Sequence, residues 1–564
     1  MAADRQQRSQ VKVNDILVAL CQNPTCRLSP GLLESITREG WRVWPCDSLC
    51  APWGLQQLRR KCRIEKPAHL VVGVCQEVIR QGLIEQALGR LIGKRRLHLL
   101  ELGGSDALCQ DLPALIRALL QSKPARRPPL KHKRVLVVGG GVGGCQAALD
   151  IANSGIPVTL LESELSIGGL MAKLDKTFPT LDCSICILGP KLVEVANHPE
   201  IQLLTNAEVV SLAGRQGNFS VEVQLKPRYV DMAKCSGCGK CMEVCPVIVP
   251  SDWNVNMKPT KCIHISFEQA IPLRSAIDRR YCIECKLCEV ACERQAIDFD
   301  DQGQQLLLRV GAIVLATGVD LFDPSRIGSY GYGTVPGVIS NIEFERLVAA
   351  TGPTAGRLLT PDGRQVRSLA FVQCVGSRNA RYLPNCSGYC CTASIKEAML
   401  AIEHVPDAEV SIFYNDIRTA GKGFEELYQR AVTAGIHFIK GLPAAVEMQH
   451  GRPSLVYDNM VGGSQQRLTV DLVVLAVGME PRKDGLLWQL DEEPARDSYG
   501  FYQEKNPVLH PLESTVAGVY LLGTCRGPRD IGETVADASG VAAKVAAQFR
   551  LGQLKQRATK YKAN

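Results

Sequence analysis

Two cysteine runs of one design constrain this chain more than any other feature. Cys235-x-x-Cys238-x-x-Cys241-x-x-x-Cys245-Pro246 is followed by Cys282-x-x-Cys285-x-x-Cys288-x-x-x-Cys292, with Glu293 in place of the proline. Close spacing lets tight turns aim three thiolates at one face of a cubane, while the fourth cysteine of each run reaches across to the other cluster. That crossing assigns Cys235, Cys238, Cys241 and Cys292 to one [4Fe–4S] cluster, and Cys282, Cys285, Cys288 and Cys245 to a second. Zinc sites rarely place four cysteines in this way twice. Two clusters in so short a segment make a path for single electrons. Cys262, between the runs, fits neither set and reads as a free buried thiol.

The chain has 564 residues and 24 cysteines. At roughly 150 residues per domain, that length suggests about three or four domains. So long a chain needs no disulfide scaffold, and clustered thiols without a secretory signal point to metal ligation in a reducing compartment, the cytoplasm. Met1–Gln10 is polar and lacks the apolar stretch of an export signal. The longest apolar runs, such as Leu70–Val74 and Leu472–Val477, fall far short of a membrane span and read as buried strands of a parallel sheet. The net charge of +8 is modest, and part of it sits in KPARRPPLKHKR at 123–134. No basic patch interleaved with aromatic residues is present, which argues against nucleic-acid binding.

A nucleotide site opens at Arg134. RVLVVGGGVGG is a buried strand running into Gly139-x-Gly141-x-x-Gly144, with Gly143 inside the turn, and a helix follows from Cys145 to Ser154. The first glycine permits the turn, the second lets the backbone approach a pyrophosphate, and the third allows helix and strand to pack closely. The next strand, PVTLLES, ends in Glu162 and Ser163, where a carboxylate accepts ribose hydroxyls. FAD rather than NAD is indicated by later segments: IGGL with Gly168, Gly169 and Leu170, then Ala316-Thr317-Gly318, then Gly523 closing the strand VYLLG. These resemble the recurring FAD contacts of the two-dinucleotide-binding-domain flavoproteins, the group that includes thioredoxin reductase. After Gly523 comes a small-residue helix whose start, with Asp530, Ile531 and Thr534, faces the flavin ring in this reading. The second nucleotide-binding unit of that group carries its own glycine triplet, whereas LAFVQCVGSRNARYL (369–383) has a cysteine at the turn and no triplet. An NAD(P)H site is therefore not expected there, and electrons enter through a partner protein.

The resulting division is an N-terminal α/β domain (1–122), a linker (123–133), and a FAD-binding domain in three parts (134–228, 303–368 and 471–564). The ferredoxin module (229–302) interrupts the first two parts, and a second nucleotide-binding-like domain (369–470) the last two. The fold class is α/β.

Two further cysteine groups are less regular. Cys374, Cys386, Cys390 and Cys391 form an atypical set, and their spacing alone leaves a cluster and a buried thiol group both open. At the amino end, Cys21 and Cys75 each follow an apolar strand, Cys26 lies in CQNPTC, and Cys50 lies in the turn CDSLCAPWG. Strand-end thiols of this kind converge on a cluster or pack as small core residues; as a cluster, its ligands are Cys21, Cys26, Cys50 and Cys75.

With these motifs together, the chain resembles the A-type component of heterodisulfide reductase over nearly its whole length. The carrying segments are VVGGGVGGCQAALD, TLDCSICILGPKLVEVANHPEI, the double ferredoxin, QCVGSR with the later YCC, and GPRDIGETVADAS. The resemblance implies one FAD that splits electron pairs between a high-potential acceptor and ferredoxin, a cluster at Cys374, Cys386, Cys390 and Cys391, and about four clusters in all. It implies as partners B- and C-type subunits, ferredoxin, and an electron-input subunit such as a hydrogenase, formate or NADH module. Lys173, Arg526 and Arg529 are the candidate cations near the flavin. A plain relay of the quinone-interacting oxidoreductase kind is the alternative. The chain departs from the family in having CQNPTC in place of its usual Cys-His-Cys-Gly opening, and no further carboxyl-terminal ferredoxin domain of the kind some relatives possess is read in it. Cys183 and Cys186, in DCSIC, are read as redox-active, cluster-linked or a structural pair.

Overall fold

The computed structural model describes residues 15–22, 30–49, 51–74 and 97–101, isolated positions between 84 and 117, and residues 130–560 except 461 and 491. The chain divides into two compact units, 1–128 with 505–511, and 129–504 with 512–564.

The first unit is built on a parallel sheet in the order Arg42–Cys46, Ile16–Cys21, His69–Val74, Leu97–Glu101. Parallel neighbours need crossover connections. The helices Pro30–Arg38 and Pro52–Glu65 lie in two of those connections. All six residues of ILVALC are buried, as befits a strand with both faces covered. Cys21 and Cys46 are register partners at the carboxyl ends of adjacent strands, and both are buried. Cys26, Cys50 and Cys75 lie outside the described residues.

In the second unit, five strands far apart in sequence pair in parallel within one mixed sheet: Val519–Leu521, Ala312–Leu315, Val135–Val138, Val158–Glu162 and Ile201–Thr205. The helices Val142–Asn153 and Ile531–Lys560 pack on each other against it. A second parallel sheet runs Val338–Ser340, Leu472–Val477, Ser368–Val375, Glu409–Tyr414, His437–Lys440. This corrects two of the expected boundaries. Val338–Ser340, placed in the FAD domain at 303–368, and Leu472–Val477, placed there at 471–564, both pair inside the second sheet. LVVLAV and AIVL are equally apolar, so composition gives no sign of which sheet a buried strand will join. The two parts are linked by a short antiparallel pair, Val319–Leu321 with Met479–Pro481.

The cysteine-rich insert leaves and re-enters through adjacent strands. Asn218–Leu225 pairs antiparallel with Gln304–Val310, so that Leu225 faces Gln304. An insertion at a hairpin tip has its ends already together and costs the host sheet little closure entropy. Among the described residues no helix is long and apolar enough to cross a membrane.

Candidate functional site

A cavity of about 570 Å³ opens at the carboxyl ends of the first sheet of the second unit, where open α/β sheets bind their ligands. Gly139, Gly141 and Gly143 line it at the first turn, and Glu162 and Ser163 at the end of the next strand. Gly169 and Leu170, then Ala316, Thr317 and Gly318, then Gly523, Asp530, Ile531 and Thr534 complete that side. Gly144 and Gly168 stand behind the wall. A Cβ on Gly144 would lie 1.8 Å from the Gly139 carbonyl oxygen, so the helix reaches the strand only because that atom is missing.

The donors at this turn suit a pyrophosphate. Gly141 caps the helix Val142–Asn153 with no side chain on its first N–H groups, and a Cβ there would meet nothing within 4 Å. Unpaired N–H groups beside open space are the usual seat of a phosphate. Glu162 is buried, and its carboxylate accepts from Gly140 N–H (2.7 Å), Glu164 N–H (2.9 Å) and Ser163 Oγ–H (3.1 Å). Those three bonds fix its orientation at the cavity wall, with lone pairs remaining for hydroxyl donors. The residues present therefore fit FAD.

The opposite wall was not legible as a site in the sequence. Asn341, Glu345, Tyr389, Ala393, Lys396 and Glu397 line it. They come from the helices Asn341–Val348 and Cys390–His404 and from Tyr389, which caps the second. Tyr389, Ala393 and Lys396 with Glu397 follow each other at helical spacing, the one signal that would have grouped them. Lys396 and Glu345 form an ion pair with side chains 2% and 1% exposed, and Glu345 Oε2 accepts from Asp175 N–H (3.0 Å). Beside them Glu397 is also buried, and its Oε2 has no hydrogen-bond partner. Burial, then the charge of Glu345, holds its carboxyl well above the usual carboxylate range.

This has a pH consequence. A raised carboxyl keeps its proton in the folded chain while the unfolded chain has lost it, so its stabilising contribution is complete at low pH and declines as pH rises above about 4.5. Urea midpoints at acidic and neutral pH should therefore converge in Glu397→Gln, which cannot ionise. An unchanged pH slope in that variant would place the proton elsewhere.

Of the expected cations, Arg529 lines the cavity. Lys173 and Arg526 do not: Lys173 Nζ donates to the Asp252 carbonyl of the insert (2.9 Å), and Arg526 is buried against Asp537 (2.9 Å). A lysine or arginine near a cavity in sequence goes wherever its long stem finds a partner. Lys176, Arg482 and Lys483 line the cavity instead.

In the insert, Cys245, Cys282, Cys285 and Cys288 border one small cavity, which brings the fourth cysteine of the first run beside three of the second. Cys262 lies on the same cavity, its thiol donating to the Asp278 carbonyl (3.1 Å), with burial and the neighbouring Cys282 and Cys245 pushing it up to about 12. Burial likewise pushes Cys288 up to about 11, whereas bound iron holds such thiols ionised. Cys241 is buried and hydrogen-bonded to Ser275 (3.4 Å), Cys235 and Cys292 are half-buried, and Cys238 is exposed. Among the described residues no three metal-binding side chains converge as the ligands of a single ion would. The donors of a cubane need not, because each thiolate bonds a different iron. The insert is fastened beside the flavin cavity, where Ile167 N–H donates to the Ile271 carbonyl (3.0 Å) and Arg346 stacks over Trp253 (5.1 Å).

Cys374, Cys386, Cys390 and Cys391 come within electrostatic reach of one another. Burial raises the Cys390 thiol most, and the other three raise it further. Cys390 and Cys391 open the very helix whose next turns line the cavity with Ala393, Lys396 and Glu397. Cys183 and Cys186 form a disulfide at the start of the helix Ser184–Asn197.

Residues 228–247 match the family described as 4Fe-4S binding domain, and residues 134–219 the family described as glucose inhibited division protein A. The chain is 43% identical over 458 residues to the A-type component of the H(2):CoB-CoM heterodisulfide,ferredoxin reductase of Methanothermobacter marburgensis, covering 80% of this chain and 69% of that protein. It is 46% identical over 427 residues to an A-type iron-sulfur component of the CoB--CoM heterodisulfide reductase of Methanopyrus kandleri, covering 75% of this chain and 65% of that one. Among solved structures, the thioredoxin reductase of T. acidophilum aligns with 74% of this chain and 99% of its own at 15% identity and a TM-score of 0.43. The cofactors are FAD and [4Fe–4S] clusters, and the protein is an oxidoreductase that transfers electrons. With that degree of identity over four-fifths of its length, the chain belongs to the family of A-type heterodisulfide reductase components.

Proposed function

We propose that this chain is the flavin subunit of a heterodisulfide-reductase-like complex. In it, electron pairs supplied by a partner protein are divided at the FAD between a high-potential acceptor and ferredoxin. FAD takes up electrons in pairs and iron–sulfur clusters carry them singly, which is the chemistry such a division uses. The observation that supports this reading is the placing of two thiol groups beside one flavin cavity. The insert, with its two cysteine runs, is fastened at Ile167 beside the glycine turn. The second group opens the helix of the opposite wall. Two separate exits are what splitting requires and what a single relay does not.

In this reading Cys235, Cys238, Cys241 and Cys292 hold one cluster, and Cys245, Cys282, Cys285 and Cys288 the next. Cys374, Cys386, Cys390 and Cys391 hold a third, and the amino-terminal cysteines, with Cys21 among them, a fourth. Gly139, Gly141 and the start of the Val142 helix seat the pyrophosphate, Glu162 orients the ribose, and Lys396 with Glu345 sets the charge of the wall opposite. The relatives in Methanosarcina are named for ferredoxin and the CoB–CoM heterodisulfide. By that analogy we place this chain with B- and C-type subunits and an electron-input subunit, in the cytoplasm.

Anaerobically purified protein should carry about one FAD and about sixteen irons, from four clusters of four. About eight irons would leave the two ferredoxin clusters alone. The decisive experiment is an anaerobic reductive titration followed by absorbance and EPR. A flavin that accepts both electrons together, with no one-electron radical signal building up, supports division of the pair. A radical that accumulates while the clusters reduce makes the chain a relay.

A further inference from the structure

We propose that the Cys183–Cys186 disulfide is a thiol–disulfide exchange site, opened by a low-molecular-weight thiol that attacks Cys186. It joins two cysteines three residues apart in sequence. Cα atoms 5.3 Å apart join its two residues across the first turn of the helix Ser184–Asn197. The two sulfurs stand in different surroundings. Cys186 is exposed, whereas Cys183 is half-buried and forms the helix cap, its Sγ accepting the Cys186 N–H (3.3 Å).

That asymmetry sets the direction of exchange. A thiolate displaces one sulfur by attacking the other, and it does so fastest where the attacked sulfur is accessible and the departing one is the better-stabilised anion. Here the accessible sulfur is Cys186. The departing Cys183 thiolate is left at a helix amino terminus, with an N–H donor already in place and the positive end of the helix dipole beside it. In the first step an external thiolate bonds to Cys186 Sγ, the Cys183–Cys186 bond breaks, and Cys183 carries the negative charge. In the second, another thiolate attacks the external sulfur of the mixed disulfide and releases Cys186 as a thiolate. Two thiols are thereby oxidised to one disulfide, and the two electrons reside on the Cys183 and Cys186 thiolates.

The site stands close to the flavin cavity along the backbone. Lys176, which lines the cavity, is bridged to Cys183, and Ser184 N–H donates to the Asp175 carbonyl (2.9 Å). Asp175 N–H in turn donates to Glu345. The loop that holds the departing sulfur is therefore the loop that forms that part of the cavity wall. The inference rests on the disulfide and its helix alone and is independent of how the flavin divides its electrons.

The test uses the anaerobic holoprotein, oxidised, exposed briefly to glutathione, alkylated at once and mapped by peptide mass spectrometry. Glutathione should appear on Cys186 and the alkyl group on Cys183, at least about tenfold over the reverse pattern, before flavin or iron is lost. The reverse pattern, or a pair that stays bonded until the protein unfolds, overturns the proposal. So does alkylation of both cysteines in protein that has met no thiol. In Cys183→Ala, Cys186 should form a mixed disulfide with added glutathione disulfide, and an unreactive Cys186 there likewise overturns it.

Discussion

Gly141→Val should give a folded protein that has lost its flavin, while Gly144→Ala, a smaller change three residues on, should lose the fold. The two positions share a motif but not a surrounding. Gly141 has an ordinary extended backbone (φ −69°), so valine meets no backbone strain, and a Cβ there touches nothing within 4 Å. The added methyl groups therefore occupy the space at the helix start where the pyrophosphate has to approach. Overpacking of that kind costs about 1–3 kcal/mol, or about fivefold to more than a hundredfold in affinity, before the blocked N–H contacts are counted. Flavin content of the purified variant should fall from about one per chain to under about a tenth, with the melting temperature of the flavin-free protein unchanged. At Gly144 the added carbon would lie 1.8 Å from a backbone oxygen. No side chain can yield there, so the helix must leave the strand and the packing of the first sheet goes with it. A Gly141→Val protein that keeps a full complement of flavin would show that the phosphate does not sit at this turn.

Lys396→Met should destabilise the second unit by about 3–5 kcal/mol, the cost of leaving a buried charge without its partner. Lys396 and Glu345 are 2% and 1% exposed, so water does not replace what is removed. The double variant Lys396→Met, Glu345→Gln removes both charges and should recover most of the loss. It retains an amide that still accepts the Asp175 N–H. Urea unfolding of the four proteins forms a double-mutant cycle, and the coupling is read from the difference. A second readout separates the local charge from the fold. The single variant leaves a net negative charge in the wall of the flavin cavity and should make the flavin harder to reduce, whereas the double variant should restore it. A single variant as stable as the parent would mean that water reaches the pair.

Much of the site was written in local sequence. The glycine turn, Glu162, the small-residue segments and the two ferredoxin runs are each short stretches in which spacing and chemistry coincide, so their roles follow from neighbours a few residues away. Lys173 and Arg526 show where this stops. Each lies beside a recognisable flavin segment, yet Lys173 reaches the insert at Asp252 and Arg526 turns back to Asp537. Long cationic side chains take the partner the folded chain offers, and sequence proximity does not choose it. The sheet boundaries fail for a related reason. Leu472–Val477 carries the apolar pattern of any buried parallel strand, and only its register against Ser368–Val375 decides its sheet.

The sequence by itself determined the cofactors, the α/β class and the family, because each rests on motifs whose residues act as a local unit. Only the tertiary structure decided what faces the flavin segments: Glu345 and Lys396, 51 residues apart, meeting in a buried ion pair, and Glu397 beside them with its Oε2 unbonded. A buried charge is tolerated only where another element brings its counter-charge. That pairing is a property of the packed helices, and neither helix carries it alone.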